Sequence, residues 1–164
     1  VLGNGDKEGV TVGPLIDQKA AVGVCEFIDD AVAKGATVVM GGGMSSLGGY
    51  FVEPTILANV SRDMRVFSEE IFGPVLSIIA YEGIDEAVSI ANDTEYGLAA
   101  YVAGENKEEL TAIARRLRAG QVHINYGTGG ADAPFGGYKK SGNGREKAEW
   151  GLEEFLEVKA IMGS

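Results

Sequence analysis

Residues Glu69 and Glu70 stand side by side in the segment Ser68-Glu69-Glu70-Ile71-Phe72-Gly73-Pro74-Val75, directly ahead of an aromatic and a Gly-Pro turn. Two chemistries suit that spacing. Ser68 can cap a helix start, with both carboxylates in its first turn. Alternatively, one carboxylate accepts hydrogen bonds from sugar hydroxyls while Phe72 packs on a flat ring. A second set lies in Pro134-Phe135-Gly136-Gly137-Tyr138-Lys139-Lys140-Ser141-Gly142-Asn143-Gly144-Arg145-Glu146. Glycines mixed with charged and aromatic residues suit a backbone that passes close to a ligand or another subunit. They are too dense for a packed element and too regularly interleaved for a flexible linker. The loop is therefore expected to serve a site.

Two further residues invite chemistry and are expected to decline it. Cys25 lies at the edge of an apolar stripe of Ala21, Val24, Phe27, Ile28, Ala31 and Val32. Nothing nearby supplies the cationic, partly exposed setting that makes a thiolate, so it reads as a packing cysteine. His123, the only histidine, sits between Val122 and Ile124 in a short β-like run. With no Cys or second His at ligand spacing, a metal site is not expected, and a satisfied or surface strand histidine is.

The elements that must position these residues alternate in type. Asp17–Lys34 carries helical apolar spacing and ends at Gly35. Thr37–Met40 reads as a short buried strand. The glycines at 41–43 and 48–49 bracket a loop; no helix follows it, so it reads as structural rather than phosphate-binding. Tyr50–Val60 and Pro74–Tyr81 read as strands, Ile84–Asn92 as a helix and Gly97–Val102 as a strand. Asn106–Leu117 is an amphipathic helix ending at Gly120, and Gln121–Asn125 a strand. A helix-forming tail runs through Glu146, Glu149, Trp150, Leu152 and Phe155. The alternation predicts an α/β fold with a mostly parallel sheet flanked by helices.

Composition narrows the partners. The chain of 164 residues suits one domain able to bury its own core. A formal net charge of −10 argues against nucleic acid or an anionic membrane surface as partner. No apolar run reaches the roughly 20 residues of a membrane helix, and no secretory signal opens the chain. A single cysteine fits a reducing compartment, and a cytoplasmic location is expected. The opening Val1-Leu2-Gly3-Asn4-Gly5 lacks an initiator Met, which leads us to expect part of a longer chain.

Taken in order, the motifs resemble the aldehyde dehydrogenase superfamily, NAD(P)-dependent enzymes that oxidise aldehydes through a cysteine thiohemiacetal and thioester. The resemblance spans essentially the whole chain. It rests on Val12-Gly13-Pro14-Leu15-Ile16, Gly49-Tyr50-Phe51-Val52-Glu53-Pro54-Thr55, Glu69–Val75, Asn92-Asp93-Thr94-Glu95-Tyr96-Gly97-Leu98-Ala99 and the Pro134–Glu146 loop. It implies the C-terminal portion of a catalytic domain over residues 1–155 and an oligomerisation strand or tail over 156–164. The nucleophilic cysteine, general base, oxyanion asparagine and Rossmann glycines would lie upstream, and Cys25 matches none of them. There is also some similarity to succinate-semialdehyde dehydrogenases in Val10–Asp17 and Ala99-Ala100-Tyr101.

The resemblance also implies roles for particular residues. Glu70 would hydrogen-bond the ribose next to nicotinamide, with Phe72 beside that ring, so NAD or NADP is the expected cofactor. Phe135 would lie near the substrate tunnel, whose wall is the loop containing Thr128 and Gly129. Glycines in that loop, where many members carry aromatics, favour a larger or polar aldehyde. The serine that holds the carboxylate in succinate-semialdehyde dehydrogenases is replaced by glycine. Glu146 would be a buried proton relay, and Arg145 and Glu157 a charged pair near the subunit interface of a homo-dimer or tetramer. The alternative is a stand-alone, non-catalytic module retained for assembly or nucleotide-ribose contact.

Overall fold

Asp17 starts the first helix, α1 (Gln18–Ala33), by accepting a hydrogen bond from the Ala20 amide at 2.7 Å. The helix buries Ala21, Val24, Phe27, Ile28 and Ala31 of the expected apolar stripe, while Val32, also counted in that stripe, is exposed. It closes at Gly35, whose positive φ lets the chain reverse into strand β1 (Thr37–Met40). These features belong to a computed structural model that describes residues 1–163. In it the chain forms two compact units, Val1–Tyr81 and Glu82–Ser164.

In the first unit, β1 pairs antiparallel with β2 (Thr55–Ala58), and β2 pairs parallel with β3 (Val75–Ser77). Helix α2 (Arg65–Ser68) lies between β2 and β3 in sequence. Ile28, Leu57, Met64, Val24 and Val52 are fully buried in one core. Two expectations change. β1 is exposed along its length, not buried, and lies at one edge of the sheet, where β2 alone flanks it. The strand expected over Tyr50–Val60 begins only at Thr55, after Pro54, which has no amide to donate. The stretch before it instead pairs locally, with Ser45 donating to Phe51 and Glu53 to Gly43. Finally, the 41–43 loop is structural as expected: its Gly42 amide donates to buried Thr55 Oγ1 at 2.9 Å.

The second unit opens with α3 (Ile84–Asn92) and strand β4 (Ala99–Val102). Helix α4 (Lys107–Arg116) follows, capped by Asn106, which accepts from the Glu108 and Glu109 amides. The chain returns as β5 (Gln121–Ile124), parallel to β4 in the register Ala99–Gln121 through Val102–Ile124. A short helix, α5 (Ala148–Glu153), forms within the expected tail. Of the expected strand or tail, residues 156–163 carry no regular element and Ser164 lies outside the described residues. Two of the three strand pairings are parallel, so the α/β expectation holds.

Candidate functional site

Helix α2 ends at Ser68, so this serine terminates a helix and caps none. The capping chemistry expected as one option is thereby overturned. The two carboxylates that follow have different fates. Arg65 takes Glu69 bidentately, Nε to Oε1 at 2.9 Å and Nη2 to Oε2 at 3.2 Å. That hydrogen bonding holds the Glu69 carboxyl below its usual range. Glu70, by contrast, is exposed and makes no hydrogen bond or ion pair among the described residues.

The aromatic beside it is displayed by backbone geometry. Phe72 is 82% exposed and has a φ of +50°, an uncommon conformation for a bulky residue. Its neighbours hold it there. Ile71 packs against the core, and Gly73 presses on α1 so closely that a Cβ would lie 2.4 Å from Val24 Cγ2. Pro74 O then accepts from the Thr55 amide at 2.8 Å, starting β3. Glu70, Phe72 and Ser77 line one shallow hollow of about 410 Å³. The buried Ser77 Oγ has no partner among the described residues. An unpaired carboxylate, an open ring face and an orphaned hydroxyl suit a ligand with hydroxyls and a flat ring.

In the second unit, the Pro134–Glu146 loop closes on itself. Phe135 and Glu146 exchange backbone hydrogen bonds, 3.0 Å from the Phe135 amide and 2.7 Å from the Glu146 amide. Arg145 fills the loop interior, donating from Nη1 to the carbonyls of Gly137, Asn143 and Gly144. Its guanidinium lies 5.4 Å from the Tyr138 ring centroid, and that of Arg118 lies 5.1 Å away. Ser141 Oγ accepts from the Gly97 amide, and Lys139 Nζ donates to Asn92 O and Thr94 O. The glycines allow this approach: a Cβ on Gly120 would sit 1.8 Å from Gly136 O. Much of the glycine density expected to serve a ligand thus serves backbone packing.

The candidate residues of this unit divide. Thr128, Gly129 and Phe135 line one hollow of about 400 Å³, with Tyr101, His123 and Lys147. Sequence reasoning missed Lys147, whose Nζ lies 5.5 Å from the Phe135 ring centroid. Glu146 is exposed, so residues 1–163 do not supply the burial expected of a proton relay. Arg145 and Glu157 form no ion pair among the described residues; the Arg145 amide donates instead to Glu154 Oε1 at 3.2 Å. The Arg145 guanidinium has a stronger claim on its attention, three carbonyls inside its own loop. Cys25 packs against the core as expected, and burial, with the charge of Asp29 behind it, pushes its thiol up.

Against this geometry, the model of the aldehyde dehydrogenase family matches residues 1–161. The chain belongs to the aldehyde dehydrogenase family. A Staphylococcus haemolyticus protein named for that family is 50% identical over 165 residues, which is 99% of this chain and 35% of the relative. Aldehyde dehydrogenase C of Pseudomonas syringae, a mutant solved with NAD+ and octanal, is 48% identical with a TM-score of 0.92. The match covers 98% of this chain and 34% of that one. Succinate-semialdehyde dehydrogenase from Burkholderia pseudomallei is 42% identical with a TM-score of 0.88, over 93% of this chain and 32% of that one. The chain therefore spans about a third of the length of these aldehyde dehydrogenases.

Proposed function

We propose that this chain is the cofactor-ribose and tunnel-wall portion of an NAD(P)-dependent dehydrogenase that oxidises an aldehyde to a carboxylic acid. The observation that carries it is the pairing of unpartnered Glu70 with the exposed ring of Phe72. When bound, the nicotinamide cofactor supplies the hydride acceptor. Glu70 accepts the ribose hydroxyls and Phe72 covers a face of the neighbouring ring, which restricts its orientation. Structural relatives 39 to 48% identical were solved with NAD+, which supports this cofactor class. Thr128, Gly129 and Phe135 wall the aldehyde path, and glycines in that wall favour a larger or polar substrate. Glu146 would relay protons only where the remainder of the protein buries it. The protein is further read as a cytoplasmic homo-dimer or tetramer whose 156–164 tail serves assembly. No observation favours a stand-alone module.

The test is Glu70→Gln in the complete dehydrogenase. The amide keeps the shape but loses the charge that strengthens the ribose hydrogen bonds, each worth about 1.5–3 kcal/mol. Steady-state kinetics should show kcat/KM for the cofactor falling about 10- to 100-fold. Wild-type values would exclude the ribose role.

A further inference from the structure

We infer that His123 is a positioning residue that clamps the substrate-facing loop 126–133 and thereby sets which aldehydes the hollow admits; this rests on the proposed aldehyde chemistry. His123 sits in β5 directly opposite Tyr101 of β4. Their rings stack at 4.8 Å between centroids and 15° between planes. Such a cross-strand pair fixes the imidazole plane. From that plane Nδ1 reaches Gly127 O at 2.7 Å. A carbonyl only accepts, so Nδ1 carries the proton, in the neutral ring as in the cation.

The bond falls where the backbone needs holding. Asn125 and Tyr126 are consecutive non-glycine residues with φ of +49° and +61°. Conformations of this kind persist only when the surroundings over-determine them. Several restraints meet here, beginning with the Asn125 amide, which donates to Val102 O at 2.9 Å. The Asn125 side chain accepts from the Gly104 amide at 2.9 Å and donates to Gly104 O at 3.0 Å. The Gly127 amide donates to Ile124 O at 2.9 Å. His123 adds another, and among the described residues it alone grips the outgoing carbonyl of Gly127. Thr128 and Gly129 follow immediately and line the hollow with Phe135. Releasing Gly127 would let the wall move.

The experiment compares two variants in the complete dehydrogenase. His123→Phe keeps the stack and removes the donor; His123→Asn removes the ring but places an amide N–H near the Nδ1 position. Kinetics across straight-chain aldehydes and hydrogen exchange over residues 126–133 are read on the same samples. His123→Phe should raise KM for the best aldehyde about 5-fold, the factor of one neutral hydrogen bond, with kcat within about twofold. Chain-length preference should flatten, exchange should quicken, and His123→Asn should restore both. Unchanged KM ratios in His123→Phe, or a His123→Asn variant as impaired as His123→Phe, would overturn the inference. If wild type oxidises no aldehyde, the proposed function fails, while exchange still decides the clamp. Should His123→Phe not fold, the 15N spectrum of wild-type His123 decides instead: a protonated Nδ1 supports the clamp and an unprotonated one sinks it.

Discussion

At the residue scale, the site depends on side chains whose backbone is held by neighbours rather than on chemically unusual groups. Phe72 illustrates this. Its left-handed conformation costs free energy, and the close contact of Gly73 with Val24 helps to hold it. Val24 is 1% exposed and has no room to retreat. Gly73→Ala should therefore destabilise the protein by about 1–3 kcal/mol, the usual effect of overpacking. Adding Val24→Ala should recover part of that loss, because the smaller side chain frees the space the new methyl needs. Denaturant titration of the two single variants and the double variant measures the coupling. Strict additivity would show that the contact is not what positions Phe72.

At the element scale, α2 has no capping side chain of its own at Met64. Asp30, on α1, supplies one from a distance by accepting from the Arg65 amide at 2.9 Å, and it also pairs with Lys34. The Arg65 hydrogen bond first, and Lys34 next, hold the Asp30 carboxyl below its usual range. A carboxyl lowered in the folded state contributes stability that is present above its unfolded pKa, about 3.9, and is lost as pH falls through the folded value. The melting temperature should thus decline below about pH 4, and less steeply in Asp30→Asn, which starts lower at pH 7. Parallel melting curves against pH for the two proteins would remove Asp30 from this role.

At the scale of the whole molecule, the tail is the outstanding feature. Val158 is fully exposed, and Ile161 and Met162 are 89% and 91% exposed. Apolar side chains so uncovered are those an assembly surface would bury. Val158→Asp combined with Ile161→Asp should reduce the mass of the complete protein measured by light scattering to that of a smaller assembly. An unchanged mass would take the tail out of the interface.

Local signals went a long way here. The apolar 3.6 period over Asp17–Lys34 and the Gly35 after it place α1 to within a residue or two at each end, because capping and periodicity act within one turn. Motif order along the chain pointed to the family, and that resemblance, rather than local chemistry, singled out Glu70 and Phe72 for the proposed ribose and ring contacts. What the sequence could not determine was pairing between distant residues. The Arg65–Glu69 pair is not of that kind: its i,i+4 spacing was open to reading from the chain, and it leaves Glu70 spare. The sequence made His123 an ordinary strand residue, whereas the parallel register of β4 and β5 set Tyr101 against it and aimed Nδ1 at Gly127. It counted β1 as buried, since apolarity marks a strand without saying whether the fold covers it. Periodicity and caps are properties of neighbours in the chain, while partners are chosen by tertiary packing, and that is the boundary between what was legible and what was not.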